Sequence, residues 1–307
     1  MQKKQSDGVI SASLLFVIVI WGINNAGTKY MVNYWPPIFV GGARCLGAAA
    51  ALFALLRWTN WLGKPRKLSR ELNRKLWWNC GGSMAVYVLT FNWAIRAIPA
   101  SHVALYMGAS PVWALLWEGW PKRDWKSAQR YGATALAFSG VVVLLWPGLM
   151  GHTGHLWGEM LGLASGMLWA NYGRQCRAVG TDLSGAEITA HSFWRGGVLV
   201  APFMVLDMVA TPIHLRNDLV ALLVYSILIS GVMGFVLWNN ALKQWKTSEV
   251  YLFGNLIPLS TMICAHFMVH EAITRTFWLA MILIAAGVTL GQTNYAKLIR
   301  RKPDQGY

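Results

Sequence analysis

The amino-acid sequence predicts an all-α integral membrane protein of ten transmembrane helices, arranged as two inverted five-helix repeats. Three observations lead to this prediction: an apolar composition, the alternation of basic residues along the chain, and an internal repeat. Of the 307 residues, 55% are hydrophobic and only 13% are charged, and the mean hydropathy is +0.40. Soluble proteins carry about 25% charged residues, so this chain lacks the residues for a polar shell.

Apolar runs divide the chain into ten predicted spans joined by short loops, except for a longer basic link between the second and third spans. Runs of about 18 or more apolar residues are typical of helices that cross a membrane. The sequence lacks the short alternating segments that are typical of membrane barrels. The first run exceeds the apolar core of a signal peptide, so we expect it to remain as a span. The predicted spans are 9–31, 37–57, 76–97, 100–118, 128–147, 156–175, 187–207, 218–242, 247–269 and 276–296.

The basic residues predict the orientation of these spans. Of the 27 Lys and Arg residues, 21 fall in the termini and the even-numbered loops, and 4 fall in the odd-numbered loops. The remaining 2, Arg44 and Arg195, lie within spans. Because cytoplasmic loops are enriched in Lys and Arg, both termini are expected in the cytoplasm. The net charge of +15 is then explained by loops that face anionic lipid, and no nucleic-acid partner is expected.

An internal repeat divides the chain into residues 1–150 and 151–307. At an offset of 147, residues 91–113 fall on residues 238–260. The matched pairs at this offset include Asn92 with Asn239, Pro111 with Pro258, and Gly140 with Gly287. Because each half holds an odd number of spans, the second half must enter the membrane from the opposite side. Such inverted repeats are typical of secondary transporters, with the substrate near mid-membrane between the halves.

A polar stripe crosses the first predicted span. Asn24 and Asn25 lie on one helical face with Trp21 and Thr28, at spacings of 3, 4 and 7 from the tryptophan. Polar side chains in a span avoid lipid and face the bundle interior or a water-filled cavity. Two interpretations remain open: the asparagines line a substrate cavity, or they join neighbouring helices by hydrogen bonds.

Further polar and aromatic side chains fall at similar depth in other spans. Pro111 in the fourth span and Pro258 in the ninth predict kinks that free backbone carbonyls. For any single Trp, a place in the interfacial aromatic belt or in helix packing is the alternative to substrate binding. The predicted belt is Trp35, Trp58, Trp61, Trp77, Trp78, Trp120 and Trp125. The predicted substrate-binding set is Trp21, Asn24, Asn25, Tyr87, His102, Tyr106, Ser110, Trp113, Trp169, Tyr172 and Asn255.

Charged residues within or near the spans have two interpretations each. Arg44 and Arg195 either anchor helix ends and backbone carbonyls or bind a substrate carboxylate. Glu118, Glu249 and Glu271 lie near span ends, so no carboxylate proton relay is evident. His102 and Glu249, which superpose in the repeat, are the remaining candidates for proton coupling.

Nothing in the sequence predicts catalysis or a cofactor. It contains no P-loop, GxGxxG, HExxH or nucleophile elbow, and no cluster of metal ligands. The four cysteines are scattered, so we expect small packing residues and neither disulfides nor a metal site. The expected partners are a small-molecule substrate and membrane lipids, with the chain as a monomer and an oligomer as the alternative.

Several motifs resemble those of one known family. They are "IWG" at 20–22, "WPPIFVGGAR" at 35–44, "MLWANYGR" at 167–174, the "HE" pair at 270–271, and the glycine-containing runs "AFSGVV" and "IAAGVT". In order and spacing, over nearly the whole chain, they resemble the EamA-like ten-helix branch of the drug/metabolite transporter superfamily. One departure is Asp124, which stands where the family usually has a glutamate after the fourth-span proline.

The resemblance implies a carrier of the bacterial inner (cytoplasmic) membrane that works by alternating access around a central cavity. Members of the family export amino acids, including aromatic ones, and other small metabolites or drugs, and some import choline. We therefore expect a secondary transporter that exports small organic metabolites through a central cavity lined by aromatic and asparagine side chains, with aromatic or hydrophobic amino acids preferred. The alternatives are a transporter of a choline-like cation held in an aromatic box, and, from another class, a non-transporting receptor or scaffold, or a channel.

Overall fold

The computed structural model describes residues 6–59, 62, 66–117, 125–150, 155–179, 183–245, 250, 253–254 and 256–292, and every regular element in these residues is helical. Within these residues, four helices are long and apolar enough to cross a membrane: Asp7–Val32, Pro37–Trp58, Gly185–Ala210 and Asn217–Gln244. Shorter apolar helices are Tyr131–Pro147, Ile257–Val269 and Arg275–Leu290. The all-α class is thus confirmed.

The helices follow one another with short connections. In chain order they are α1 (Asp7–Val32), α2 (Pro37–Trp58), α3 (Arg70–Lys75), the π-helix π1 (Leu76–Gly81), α4 (Gly82–Ala97), α5 (Ala100–Gly108), α6 (Ser110–Trp117), α7 (Trp125–Leu149), α8 (Leu156–Val179), α9 (Gly185–Ala210), α10 (Asn217–Tyr225), the π-helix π2 (Ser226–Gly234), α11 (Phe235–Gln244), α12 (Ile257–Val269) and α13 (Arg275–Gln292).

Local sequence signals account for several helix starts. Asp7 places a carboxylate in the first turn of α1, which the helix dipole favours. Pro37 begins α2, where the missing N–H costs nothing. Ser184 and Glu187 form a capping box at the start of α9, in which each side chain accepts a backbone N–H of the other residue.

The helix of the fourth predicted span is interrupted. It breaks at Ala109, between α5 and α6 and two residues before Pro111. The break lies beside the start of α12, because a Cβ added to Gly108 would lie 3.0 Å from Cγ of Pro258. The third and eighth predicted spans instead contain the π-helical segments, which sequence patterns did not predict.

The helices pack in a small number of extensive pairs. The largest contacts join α7 to α13, α2 to α9, α1 to α12, and α4 to α8. Two glycines permit the close approach of α7 and α13. A Cβ on Gly140 would lie 2.8 Å from the carbonyl oxygen of Ala280, and one on Gly287 would lie 2.5 Å from the backbone nitrogen of Ala137. The repeat-matched glycines therefore lie in one interface.

The tryptophans differ in exposure. Trp58 and Trp78 are 81% and 72% exposed, as expected of belt residues. Trp35 is instead buried, and its indole N–H donates to the carbonyl oxygen of His214 at 2.8 Å. This bond ties the α1–α2 connection to the segment between α9 and α10.

Candidate functional site

Buried aromatic side chains from both halves of the chain meet in one place. We call this group the aromatic cluster; its members are Trp21, Tyr87, Phe91, Trp169, Tyr172, Phe193, Phe235 and Trp238, each no more than 6% exposed. Trp21 and Trp169 meet edge to face with centroids 5.6 Å apart. Trp169 stacks on Tyr172 at 5.7 Å and lies 5.6 Å from Tyr87. The structure thus brings four predicted site residues together.

The other members of the aromatic cluster were not predicted. Phe235 and Trp238 lie 5.1 Å from Trp21, both on α11 at a spacing of 3 residues, which places them on one helical face. Trp238 also begins the segment that matches residues 91–113 in the repeat. That position and the shared face are the sequence signals that could have identified the pair.

The polar atoms at the edge of the aromatic cluster have partners on other helices. The Trp21 indole donates to the carbonyl oxygen of Ser230 in π2 at 3.3 Å. A Cβ on Gly234 would lie 2.6 Å from that indole nitrogen, so only glycine lets π2 approach so closely. The Tyr172 hydroxyl lies 3.0 Å from Oγ of Ser192. The cluster is therefore held by hydrogen bonds as well as by ring contacts.

Asn24 and Asn25 are both buried and both bonded between helices. Asn24 Oδ1 accepts a hydrogen bond from Ser226 Oγ at 2.6 Å, which joins α1 to π2. Asn25 Nδ2 donates to Thr261 Oγ1 at 3.1 Å, which joins α1 to α12. These contacts are the ones expected if the asparagines join neighbouring helices by hydrogen bonds, which is one of the two interpretations drawn from the sequence. A role of the two amides in substrate binding stays a prediction.

A buried carboxyl group lies against the polar face of α5. Glu159, 4% exposed, accepts the hydroxyl of Tyr106 at 2.7 Å and lies 3.1 Å from Nδ1 of His102. The sequence-based substrate-binding set includes His102 and Tyr106 but not Glu159. The available signal was an acidic residue that opens the apolar run of the sixth predicted span. The arrangement can hold or pass a proton among three side chains, or accept a cationic group.

The remaining predicted residues divide into described and undescribed positions. Ser110 Oγ bonds to the carbonyl oxygens of Met107 and Gly166. Trp113 is partly buried, and its indole nitrogen has no hydrogen-bond partner among the described residues. Asn255, Glu249 and the side chain of Pro111 lie outside the described residues. The hinge role of Pro111 and Pro258 stays a prediction.

The two arginines within spans have different surroundings. The Arg195 guanidinium donates to Oδ1 of Asn73 at 2.6 Å and to the carbonyl oxygen of His191 at 3.1 Å. It also lies 4.8 Å from the centre of the Trp194 ring. These are anchoring contacts of the kind that one interpretation of Arg195 predicts. Arg44 lies instead 5.8 Å from the centre of the Phe91 ring, beside the aromatic cluster.

No metal site is visible in the described part of the chain. There, no group of three or more His, Cys, Asp or Glu side chains is placed to hold a metal ion. Three of the cysteines, Cys45, Cys80 and Cys176, are buried and free. The aromatic cluster has the Arg44 guanidinium beside Phe91, and the Glu159 carboxyl group forms a separate group with His102 and Tyr106.

Comparison with known proteins gives a consistent result. The sequence model of the EamA-like transporter family matches residues 8–146 and 156–291. An uncharacterized transporter of Archaeoglobus fulgidus is 25% identical over 279 residues, which cover 90% of this chain and 95% of that protein. A probable amino-acid metabolite efflux pump of Escherichia coli is 25% identical over 293 residues, covering 92% and 94%.

A second protein named as a probable amino-acid metabolite efflux pump, from Salmonella typhimurium, is 22% identical over 92% of this chain and 94% of its own length. A crystal structure superposes with a TM-score of 0.62 over 97% of this chain and 100% of its own, at 17% identity, a likeness of fold alone. The family and the names of the relatives are those of membrane transporters and not of enzymes. The chain is a membrane protein that belongs to the EamA-like transporter family.

Proposed function

We propose that this protein is a secondary transporter with ten membrane-spanning helices that exports small organic metabolites by alternating access, with aromatic or hydrophobic amino acids as preferred substrates. The observation that carries the proposal is the aromatic cluster, which gathers rings from α1, α4, α8, α9 and α11. An indole or phenyl side chain would find stacked and edge-to-face partners there. Hydrogen-bonding groups beside the rings would orient the rest of the substrate.

Helix packing supports the division into inverted repeats, residues 1–150 and 151–307. If each helix is exchanged for its counterpart in the other half, the contact of α1 with α12 becomes that of α8 with α6, which is also present. The contact of α4 with α8 likewise becomes that of α11 with α1. The pairs α2 with α9 and α7 with α13 are carried onto themselves. The two family matches, 8–146 and 156–291, follow the same division. This symmetry is the kind that inverted-repeat transporters use.

The proposal includes the location and orientation of the protein. We place it in the bacterial inner membrane with both termini in the cytoplasm, because 21 of the 27 basic residues then face the cytoplasm. Membrane lipids surround it, and a monomer is the proposed functional unit. The aromatic cluster draws rings from both halves of one chain, which supports a monomer.

The substrate class rests on two independent supports. The relatives from Escherichia coli and Salmonella typhimurium are named for amino-acid metabolites, and the buried rings suit aromatic or hydrophobic side chains. Aromatic rings also attract quaternary ammonium groups. A choline-like cation is therefore the second candidate and enters the test.

Counterflow in proteoliposomes tests this function. Vesicles that hold the purified protein are preloaded with unlabelled tryptophan or choline, diluted, and given the same labelled solute outside. We expect labelled tryptophan to accumulate only in tryptophan-loaded vesicles, and protein-free vesicles serve as the control. Exchange of choline without tryptophan would contradict the amino-acid assignment, and a leak without exchange would contradict the carrier mechanism.

A further inference from the structure

Arg44 is a buried charge for which the described part of the chain provides no opposite charge. Its side chain in α2 is 5% exposed, and Nε has no hydrogen-bond partner among the described residues. In the same part of the chain, no carboxylate forms an ion pair with the guanidinium. Buried charges in proteins are normally paired with an opposite charge. An anion bound from outside the chain would supply the opposite charge that the described residues do not.

Arg195, the other arginine within a span, has the hydrogen bonds expected of an arginine with a structural role. Although Nε of Arg195 is also unpaired, its two terminal nitrogens donate to Asn73 and to the backbone of His191. The Arg44 guanidinium instead has the thiol of the adjacent Cys45 as its side-chain hydrogen-bond partner, and it lies over the Phe91 ring. Arg195 thus joins α9 to α3, whereas Arg44 faces the edge of the aromatic cluster.

On α4, which Arg44 contacts through Phe91, a buried acceptor also lacks a partner among the described residues. Asn92 is fully buried, and its Nδ2 donates to the carbonyl oxygen of Val88 at 2.8 Å, but Oδ1 has no partner among the described residues. Asn92 follows Phe91 on α4, and a Cβ on Gly41 would lie 2.2 Å from Nδ2 of Asn92. Gly41 precedes Arg44 by 3 residues on α2. The unpaired donor and the unpaired acceptor thus lie in one α2–α4 contact.

The repeat counterpart of Asn92 gives a comparison. Asn239, which aligns with Asn92, donates through Nδ2 to Oγ1 of Thr189 at 2.8 Å, and its side chain does not hold an unpaired buried oxygen. The side-chain amides of the two equivalent asparagines therefore differ in their hydrogen bonds. The unpaired acceptor, Oδ1 of Asn92, lies in the same half of the chain as Arg44.

We propose that Arg44 and Asn92 bind the main-chain groups of an α-amino acid, the Arg44 guanidinium pairing with the carboxylate and Asn92 Oδ1 accepting the ammonium group. This inference rests on the proposed function and defines its substrate class by a zwitterion. The substrate side chain would reach the aromatic cluster, because Phe91 lies 5.4 Å from Tyr87 and Tyr87 lies 5.6 Å from Trp169. Both groups are buried in this structure, so binding requires α2 and α4 to separate at Gly41.

The first test alters the substrate and needs no variant. Labelled tryptophan counterflow is measured in the presence of unlabelled tryptophan, tryptamine, which lacks the carboxylate, or indole-3-propionate, which lacks the ammonium group. We expect each analogue to compete at least about tenfold less well than tryptophan, the loss of one charge-assisted interaction. Equal competition by tryptamine would overturn the role of Arg44, with transport itself still established.

The second test alters the protein. In Arg44→Gln, we expect tryptophan and tryptamine to compete about equally, because the substrate carboxylate has lost its partner. In Arg44→Lys, which keeps the charge, we expect part of the preference for tryptophan over tryptamine to remain. The matched control is Arg195→Gln, which retains the wild-type preference in whatever fraction folds. If Arg44→Gln does not yield folded protein, the Arg44→Lys preference decides: an unchanged preference would contradict the proposal.

Different results would contradict the proposed transport of amino acids and the proposed role of Arg44 and Asn92. A wild-type protein that exchanges no amino acid would overturn the proposed substrate and this inference together. A wild-type protein that exchanges tryptophan, with variants of Arg44 that keep its full preference over tryptamine, would overturn this inference alone.

Discussion

Ser101 and Glu271 are joined by a hydrogen bond of 2.8 Å from the Ser101 hydroxyl to Oε2 of Glu271, although 170 residues separate them. The same carboxyl group accepts the backbone N–H groups of Ala100 at 2.5 Å and Ser101 at 3.2 Å. The first N–H groups of a helix have no partner within it. Glu271, in the connection after α12, therefore caps α5 from the other half of the chain.

Removal of this cap is expected to destabilise the fold. Glu271→Ala leaves the first N–H groups of α5 without their acceptor, and we expect a loss of about 1–3 kcal/mol in the free energy of unfolding. Thermal unfolding in detergent micelles measures it as a lower Tm. The control is Glu71→Ala, which removes an exposed carboxylate paired with Lys75 on α3. Surface pairs contribute little, so equal Tm shifts in the two variants would contradict the capping role.

The bond between Tyr106 and Glu159 yields a second prediction. Tyr106→Phe removes the donor at 2.7 Å from a buried carboxyl group and leaves the His102 contact. We expect a stability loss of about 1–3 kcal/mol, because one oxygen of the carboxyl group becomes unsatisfied. Tyr131→Phe on the exposed surface of α7 is the matched control and should leave the Tm unchanged. A Tm of Tyr106→Phe equal to that of the control would show that this bond does not stabilise the fold.

Two glycines of α7 provide a third, internally controlled prediction. Gly140→Ala puts a Cβ 2.8 Å from the carbonyl oxygen of Ala280, whereas nothing lies within 4 Å of a Cβ at Gly132. Overpacking typically costs about 1–3 kcal/mol, while alanine at an open helical position favours the helix. We expect Gly140→Ala to lower the Tm and Gly132→Ala to leave it unchanged or raise it. The reverse order would contradict the α7–α13 packing.

The proposed orientation gives a fourth prediction. Alkaline phosphatase fused after Tyr307 should be inactive, because the enzyme needs the oxidising periplasm, and a green fluorescent protein fused at the same point should fluoresce. A phosphatase inserted in the α9–α10 connection, residues 211–216, should be active. Activity of the terminal fusion together with inactivity of the loop insertion would reverse the orientation.

Sequence patterns predict where the helices lie along the chain better than they predict which helices contact one another. Apolar runs locate the helices because burial in lipid constrains each residue of a span, and the observed bounds of α1 and α2 lie within a few residues of the predicted 9–31 and 37–57. The break at Ala109 lies two residues before Pro111, where the sequence predicts a kink. The π-helical segments have no such local signal in the sequence.

The site shows the same division. Trp21, Tyr87, Trp169 and Tyr172 could be selected by their depth in apolar runs, and the structure brings them together. Sequence patterns did not identify Glu159, because an acidic residue near the start of a span usually lies at the membrane interface. Glu159 is buried by the packing of α5 on α8, which the sequence does not show. The bonding of Asn24 and Asn25 to Ser226 and Thr261 likewise needs the tertiary fold.

The most direct test of the central claim is tryptophan counterflow by two variants of α8. Trp169 lies in the aromatic cluster, whereas Trp157 on the same helix is 50% exposed and contacts Trp93 on the surface. With size-exclusion profiles confirming folded protein, we expect Trp169→Ala to lower exchange by about tenfold, the effect of about 1.4 kcal/mol of lost ring contact. Asn25→Ala should also impair exchange, and Trp157→Ala should not. Wild-type exchange in a folded Trp169→Ala protein would contradict the assignment of the aromatic cluster as the substrate site.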